Sequence, residues 1–222
     1  ALEAMAESGN FNKDKLIYSF LCDEILWYKD KFNPKKACTI FGVKSKNGIF
    51  VGRNYDWLPI AEKFFEAYKF DNPKRNAFIA LTDMGIGIGA EANPKEMYYN
   101  ADDVINNKGL FVGITFAYTD KWSHGLSCIH MTKLIAETCS TTKEAIKVFE
   151  KIPLCCPKNF FIADKNGDMA IVEHTSEKFK VRYPKDDVLI QTNHYVDPEL
   201  ANEDTVLREV PYHNTFIRYY ET

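Results

Sequence analysis

Three residues with complementary chemistry, Cys38, Arg53 and Asp56, are spaced so that a single β-hairpin can bring them together. A thiol is a nucleophile, a guanidinium stabilises a thiolate, and a carboxylate can hold an amine. Together they would carry out attack by sulfur on a carbonyl carbon. The alternative is an ordinary hairpin with a buried cysteine and a surface ion pair, and spacing alone does not separate the two interpretations.

The hairpin is the element that must position these residues. Two runs rich in apolar and β-branched residues flank Asn47-Gly48. This dipeptide tolerates positive φ at both central positions of a type I′ turn, so the pattern predicts two antiparallel strands joined by that turn. Cys38 begins the first arm, and Arg53 and Asp56 end the second. All three are therefore expected at one end of the ribbon.

Length and composition restrict the possible classes of protein. A chain of 222 residues predicts one domain with room for a helical appendage, and 45% hydrophobic residues suit a packed core. A net charge of −3 gives no electrostatic case for binding nucleic acid or an anionic membrane. No stretch is long and apolar enough to span a bilayer. The acidic N-terminus does not resemble a signal peptide, which favours a cytoplasmic location.

The six cysteines are too few for a disulfide framework in a chain of this length. Cys155 and Cys156 are adjacent, and because a bond between neighbours would be strained, we expect both thiols to be reduced. The spacing Cys128-x-His130 lacks the paired ligands of a zinc site. We therefore expect neither a metal nor another cofactor.

A regular order of elements follows from the hydrophobic pattern. Apolar residues between 16 and 28 recur at helical spacing and predict an amphipathic helix over residues 13–31, which Asn33-Pro34 ends. Strands, helices and turns then follow along the chain. The predicted strands are 63–70, 76–82, 110–116 and 188–194, the predicted helices are 125–138 and 142–151, and a second Asn-Gly hairpin spans 159–173.

The two arms of the first hairpin resemble the opening of the N-terminal-nucleophile (Ntn) amide hydrolases. Cys38-Thr39 is followed, across one hairpin, by Gly-Arg-Asn-Tyr-Asp-Trp ending at Trp57. This group includes choloylglycine hydrolases, penicillin V acylases, acyl-coenzyme A:6-aminopenicillanic acid acyltransferases and relatives of acid ceramidase. The resemblance covers residues 38–222 in the family's order. It implies an α+β fold, an αββα sandwich of two antiparallel sheets with helical layers.

The resemblance also implies how the chain is processed. In this superfamily the cysteine becomes the first residue of the mature chain when a pro-segment is removed. Residues 1–37 would then be a helical pro-segment, cleaved between Ala37 and Cys38, and residues 38–222 the catalytic domain. Because typical members continue further, we expect this chain to lack a C-terminal portion that is usual in the family.

The resemblance assigns a role to each polar residue of the hairpin. Cys38 would be the nucleophile, and its own freed α-amino group would be the base. In model compounds the amine titrates at about 7.7–8.0 and the thiol at about 8.5, so one can take the other's proton near neutral pH. Arg53 would stabilise the thiolate, and Asp56 would hold the α-amino group. Asn193, in the Thr-Asn pair near the end of the predicted strand 188–194, would donate to the oxyanion.

Two further site residues depart from the family pattern. Thr115 stands where the family's Gly-Leu-Asn-Phe strand has asparagine, which argues against a close bile-salt hydrolase. A backbone N–H at Thr115 could still donate to an oxyanion. Arg218 is carried over as the family's active-site arginine, although in some branches that position falls on Thr215. His194 is expected to have an edge or loop role rather than to be a base.

The aromatic residues after the hairpin give a substrate hypothesis. Tyr55, Trp57, Phe64 and Phe65 would line an apolar acyl pocket, although core packing would explain them nearly as well. The expected substrate is a small-molecule N-acyl amide, and the sequence leaves a homo-oligomer open.

Three other functions compete with amide hydrolysis. An acyltransferase would differ only in that an amine, rather than water, intercepts the thioester. A non-catalytic homologue could use the fold for binding. A nucleotide-binding protein built around the glycine run 85–89 is the third, although that run lacks the Gly-Lys-Ser/Thr ending of a phosphate loop.

Overall fold

The structure is a computed structural model that describes residues 7, 12–14, 37–56, 62–63, 65–83, 101–206 and 214–222. Several predictions from the sequence fall outside these residues. They are the helix over residues 13–31 apart from its first two positions, the glycine run 85–89, Trp57 and Phe64.

The described residues form ten strands and four helices. The strands are β1 (Thr39–Ser45), β2 (Gly48–Asn54), β3 (Glu66–Phe70), β4 (Phe78–Thr82), β5 (Asp103–Asn106), β6 (Leu110–Phe116), β7 (Lys158–Asp164), β8 (Met169–His174), β9 (Phe179–Arg182) and β10 (Val188–Gln191). The helices are α1 (Cys128–Thr138), α2 (Thr142–Phe149), α3 (Pro198–Ala201) and α4 (Thr215–Glu221).

The strands build two antiparallel sheets. A three-stranded sheet has the order β10-β1-β2, and a seven-stranded sheet runs from β3 to β9 in chain order. Because sequential strands pair as neighbours, the large sheet is a meander. The small sheet is different, because β10 returns from far along the chain to pair with β1.

Apolar side chains join these layers. Ile40 and Leu189 of the small sheet pack on Phe161, Met169 and Ile171 of the large sheet. On the other face of the large sheet, α1 and α2 cover a larger core. Each strand of such a sheet must bury one face, which the alternation of side chains across the pleat provides. The predicted fold class, two antiparallel sheets with helices, is confirmed.

The turn of the first hairpin differs from the predicted type. Ser45 pairs with Gly48, so Lys46 and Asn47 are the central residues, and neither has a positive φ. Gly48 takes the left-handed conformation, with φ +113°. The type I′ prediction is therefore wrong, because the glycine lies after the two central positions, as in a type I turn followed by a bulge. The arms keep their expected pairing, with Ile40 opposite Arg53.

The helical predictions hold closely. Helices α1 and α2 fall within the predicted ranges, and the N–H of Glu144 donates to Thr141 Oγ1 over 3.2 Å, which caps α2. The Glu144 carboxylate accepts from the N–H of Ser140, one residue before the cap, over 2.6 Å. No helix among the described residues has the length and hydropathy that crossing a membrane requires.

Burial of His174 predicts a loss of stability in acid. His174 is 4% exposed, and its ring stacks on Phe179 with the ring centroids 5.9 Å apart. Burial lowers the pKa of His174 from 6.5 to about 4. Between these values only the unfolded chain binds the proton. The contribution of neutral His174 to the free energy of unfolding is therefore complete above pH 6.5. As the pH falls towards 4, the free energy of unfolding decreases by about 3 kcal/mol. Urea unfolding of wild type and His174→Phe at pH 7 and pH 4 measures it, and an unchanged pH dependence in the variant would contradict the assignment.

Candidate active site

Cys38 lies at the start of the small sheet, directly before β1. Its side chain is 1% exposed and its thiol is free. The position is fixed by the strand that follows, because β1 is the central strand of its sheet and pairs on both sides. A buried cysteine can attack a carbonyl carbon only if neighbouring groups activate its sulfur.

Arg53 provides a cation next to the sulfur. It lies on β2, opposite Ile40, and its guanidinium is within electrostatic reach of the Cys38 thiol. The Nε atom also donates to both carboxylate oxygens of Asp103, at 3.2 and 3.1 Å, and Nη2 donates to the Ile114 carbonyl over 3.0 Å. Strands β5 and β6 of the large sheet therefore hold the guanidinium in place from the opposite layer.

The electrostatics of this group depend on burial. Burial by itself lowers the pKa of Arg53, but the charges of Cys38 and Asp103 outweigh it and raise the pKa above its ordinary value. Burial also raises the pKa of the Asp103 carboxyl, and Arg53 opposes that shift. Since an isolated charge would be costly here, the cation and the two groups that can be anions stabilise one another.

The close approach of Asp103 to Gly113 gives a specific prediction. A Cβ at Gly113 would lie 2.7 Å from Asp103 Oδ1 and 3.0 Å from Ile40 Cδ1. We expect Gly113→Ala to displace the carboxylate, to shift the Arg53 guanidinium that it holds beside Cys38, and to cost about 1–3 kcal/mol through overpacking. Iodoacetamide labelling of Cys38, followed by peptide mass spectrometry, should slow in this variant.

Gly48→Ala is the matched control for this measurement. A Cβ at Gly48 meets no atom within 4 Å, although its positive φ makes the substitution strained. The control should therefore lose stability without a change in the labelling rate. Equal labelling rates in wild type and Gly113→Ala would contradict the positional role of Asp103.

Asp56 lies beside Ala37, the residue that precedes Cys38. Its carbonyl accepts the Ala37 N–H over 3.0 Å, and its exposed carboxylate accepts from Asn54 Nδ2 over 2.9 Å. The second arm of the hairpin therefore runs alongside the Ala37–Cys38 peptide. That the Asp56 carboxylate holds the Cys38 nitrogen stays a prediction.

Arg218 reaches Cys38 from α4. It donates to the Cys38 carbonyl, to Thr39 Oγ1 over 2.8 Å and to Asn193 Oδ1 over 2.9 Å. Asn214 orients the guanidinium by accepting from Nε over 2.8 Å. Burial lowers the pKa of Arg218, and the neighbouring Cys38 and Asp56 oppose this shift. The structure thus places a second guanidinium at the candidate site and links Cys38 to Asn193.

Asn193 lies in the segment after β10 and is fully buried. Its backbone N–H donates to Thr215 Oγ1 over 2.8 Å, and its Nδ2 donates to the Phe116 carbonyl over 3.2 Å. Thr215 and Arg218 therefore both belong to the site, and they have different contacts. Thr215 holds the backbone of Asn193, whereas Arg218 holds its side-chain oxygen.

Thr115 and His194 lie on either side of this segment. The Thr115 hydroxyl donates to the Thr192 carbonyl over 2.6 Å, next to Asn193 in the chain. His194 is buried, with Nδ1 2.9 Å from Thr215 Oγ1 and its ring against Phe216. Its place in a packed loop agrees with the role expected of it. An oxyanion contact from the Thr115 backbone stays a prediction.

Tyr55 and Phe65 lie near the hairpin, and Tyr55 contacts charged side chains rather than only apolar ones. Tyr55 packs under the Arg53 guanidinium at 4.8 Å, and its hydroxyl donates to Asp83. Burial and the carboxylates of Asp102 and Asp83 raise its pKa. Phe65 contacts Tyr55 edge to face, with ring centroids 4.9 Å apart. Tyr55 therefore supports Arg53, and a role in binding substrate stays a prediction for both aromatic residues.

Sequence reasoning missed the partners that hold the site together. Asp103 is 50 positions from Arg53, and Thr215 is 22 positions from Asn193. The one available signal was the pair Asp102-Asp103 at the start of a strand, because carboxylates that precede an apolar strand need buried partners.

Comparisons with known proteins identify the family and support the fold. The family model described as acyl-coenzyme A:6-aminopenicillanic acid acyl-transferase matches residues 43–212, most of the chain but not Cys38. Comparison of the sequence with curated proteins gave no match.

Among solved structures, penicillin V acylase from Agrobacterium tumefaciens has a TM-score of 0.51 and 18% identity over 74% of this chain. A mutant of the conjugated bile acid hydrolase from Clostridium perfringens has a TM-score of 0.51 and 17% identity over 73%. The Caenorhabditis elegans orthologue of N-acylethanolamine-hydrolyzing acid amidase has a TM-score of 0.56 and 14% identity over 83%.

At such identities the similarity shows the fold alone. The match spans 55% of the penicillin V acylase chain and 54% of the bile acid hydrolase chain, but 86% of the acid amidase orthologue. The chain thus corresponds to just over half the length of the first two proteins.

Proposed function

The chain belongs to the acyl-coenzyme A:6-aminopenicillanic acid acyl-transferase family, and from this premise we propose that it is a cysteine Ntn amidohydrolase. It cleaves the C–N bond of a linear N-acyl amide through an acyl thioester on Cys38. It matures by cutting its own chain between Ala37 and Cys38.

One observation carries the proposal, namely the position of the Arg53 guanidinium, which Asp103 and the Ile114 carbonyl hold within electrostatic reach of the buried Cys38 thiol. A cysteine with only a structural role needs no buried cation beside it, and placing one there is costly unless anions compensate. Here Asp103 compensates part of the charge, because both of its carboxylate oxygens accept from Arg53 Nε. A cation held there would stabilise the negative charge that the sulfur carries as a nucleophile.

Self-cleavage would use the same sulfur on the preceding carbonyl. Cys38 Sγ attacks the Ala37 carbonyl carbon, an S–C bond forms, and the C–N bond to the Cys38 nitrogen breaks as that nitrogen gains a proton. Water then hydrolyses the thioester and releases a carboxylate at Ala37. The contact between the Ala37 N–H and the Asp56 carbonyl supports this step, since it keeps the scissile peptide beside the hairpin.

Turnover of substrate would repeat this chemistry. The freed α-amino group of Cys38 takes the thiol proton, the thiolate attacks the amide carbonyl, and the leaving amine receives a proton from the α-ammonium. Asp56 holds the α-ammonium, and Asn193 donates to the oxyanion. Arg218 orients both partners, because it contacts the Cys38 carbonyl and Asn193 Oδ1. Water finally releases the acid.

Acyl transfer is the second candidate, because the matching family model is described as an acyltransferase. The two reactions share the thioester and differ in the nucleophile that resolves it. Hydrolysis produces a free acid, whereas transfer produces a new amide from an added amine. The same residues serve both outcomes.

Acid-quench mass spectrometry with an activated aryl ester tests the proposal. The ester should leave an acyl adduct on the peptide that begins with Cys38. A panel of N-acyl amides, assayed for free amine and free acid with and without an acceptor amine, then separates hydrolysis from transfer. An enzyme whose Cys38 labels with iodoacetamide, yet acquires no acyl group and releases no amine, would overturn the proposal.

A further inference from the structure

The carbonyl groups on both sides of Asn193 are held by one side chain. Gln191, the last residue of β10, is fully buried, and its Nε2 donates to the Thr192 carbonyl over 3.2 Å and to the His194 carbonyl over 2.8 Å. A single amide thus bridges the backbone across the residue proposed to bind the oxyanion. It fixes the direction in which the Asn193 side chain leaves the backbone.

The Gln191 amide is itself held by a buried ion pair. Arg182 on β9 donates from Nη2 to Gln191 Oε1 and, over 3.2 Å, to the Ile190 carbonyl. Its Nε donates over 2.6 Å to Oε1 of Glu173, whose side chain on β8 is fully buried. The large sheet therefore orients the Gln191 amide through a guanidinium, which has a fixed planar geometry.

Glu173 also holds the far end of the same segment. Its carboxylate accepts the Val196 N–H over 3.0 Å at each oxygen and the Asp197 N–H over 2.8 Å. A buried carboxylate is stable only when such donors satisfy it. Because the donors come from the backbone, the charge of Glu173 requires residues 196 and 197 to stay in place.

We propose that Glu173, Arg182 and Gln191 are positioning residues that set the Asn193 side chain for its oxyanion contact. This inference rests on the proposed function of Asn193, and it concerns residues that touch neither the sulfur nor the substrate. Gln191 holds the carbonyl groups on both sides of Asn193, and Glu173 holds the backbone N–H groups of residues 196 and 197. Oxyanion stabilisation depends on such preorganisation, since a displacement of about 1 Å can cost as much as 100-fold in rate.

A double-mutant cycle with Gln191→Met and Asn193→Ala tests the proposal. Methionine keeps the volume of glutamine and removes both carbonyl contacts. We expect Gln191→Met to lower kcat by about 10–100-fold with KM nearly unchanged. In the Asn193→Ala background the same change should lower kcat by less than about twofold, because the residue that it positions is gone. Effects that multiply fully across the cycle would overturn the proposal.

Arg182→Lys supplies a second route if Gln191→Met folds poorly. Lysine keeps a positive charge beside Glu173 but lacks the second nitrogen with which the guanidinium reaches Gln191. The Arg182 side chain is 17% exposed, so the lysine ammonium can stay partly hydrated. Like Gln191→Met, Arg182→Lys should lower kcat and leave KM nearly unchanged. The matched control is Asn76→Asp, which changes a half-buried amide that donates to the Cys139 carbonyl on the helical side of the large sheet. The control should keep kcat within about twofold of wild type.

An NMR measurement makes the test independent of activity. The side-chain amide signal of Asn193, assigned by its absence in Asn193→Ala, should move or broaden in Gln191→Met and Arg182→Lys but not in Asn76→Asp. An unchanged signal would overturn the positioning role even in an inactive protein. Absence of acyl transfer to Cys38 in wild type would instead overturn the proposed function, so the two failures are distinguishable.

Discussion

Replacing Cys38 with alanine is expected to abolish amide cleavage and to leave the chain uncut before residue 38. Alanine has no nucleophile, and neither the thioester with substrate nor the one with Ala37 can form. The side chain is buried at the start of β1, so the lost sulfur costs some packing energy, on the order of 1–2 kcal/mol. Amine release and denaturing mass spectrometry measure the two losses separately.

Cys139→Ala is the matched control, because Cys139 is also a buried free cysteine but ends α1 on the other side of the large sheet. It should lose a similar amount of stability and keep both activities. If Cys38→Ala still released amine or still split before residue 38, the sulfur of Cys38 would not be the nucleophile. If Cys139→Ala were equally inactive, the loss would reflect stability rather than chemistry.

Arg53→Met should give the second-largest effect. The variant loses the cation beside the sulfur, and removal of one preorganised donor typically costs roughly 10²–10³-fold in rate. It also leaves Asp103 without its buried partner, which predicts a loss of about 3–5 kcal/mol in the free energy of unfolding. Stopped-flow labelling of Cys38 and urea unfolding would measure these two consequences.

The double variant Arg53→Met/Asp103→Asn separates chemistry from stability. Asparagine removes the uncompensated charge, so most of the stability should return. Activity should stay low, because the thiolate still lacks its cation. Recovery of activity together with stability would mean that Arg53 serves only to hold the fold.

Local signals in the sequence predicted the elements that carry the site. The hairpin of Cys38 and Arg53 follows from alternation around Asn47-Gly48, and the start of α2 follows from its cap. The turn type was wrong because the position of a glycine within a turn depends on the pairing register. Strand β5 was missed because Asp103 and Asn106 are buried polar residues, which hide a strand from a hydrophobic pattern.

Contacts between layers could not be predicted in the same way. Arg218 reaches Cys38 across 180 positions, and which arginine does so depends on how α4 packs beside the small sheet. The family resemblance left Arg218 and Thr215 as alternatives, and the structure gives each its own contact with Asn193. Likewise, nothing local identifies the path from Glu173 through Arg182 to Gln191, because it joins strands of both sheets.

Denaturing mass spectrometry of an active preparation tests the central claim most directly. If the base is the α-amino group of Cys38, every active molecule must begin its catalytic chain at that residue. The account predicts two fragments that meet between Ala37 and Cys38, with the acyl adduct only on the fragment that starts at Cys38. A preparation that turns over amide while its chain stays whole at 25.6 kDa would contradict it.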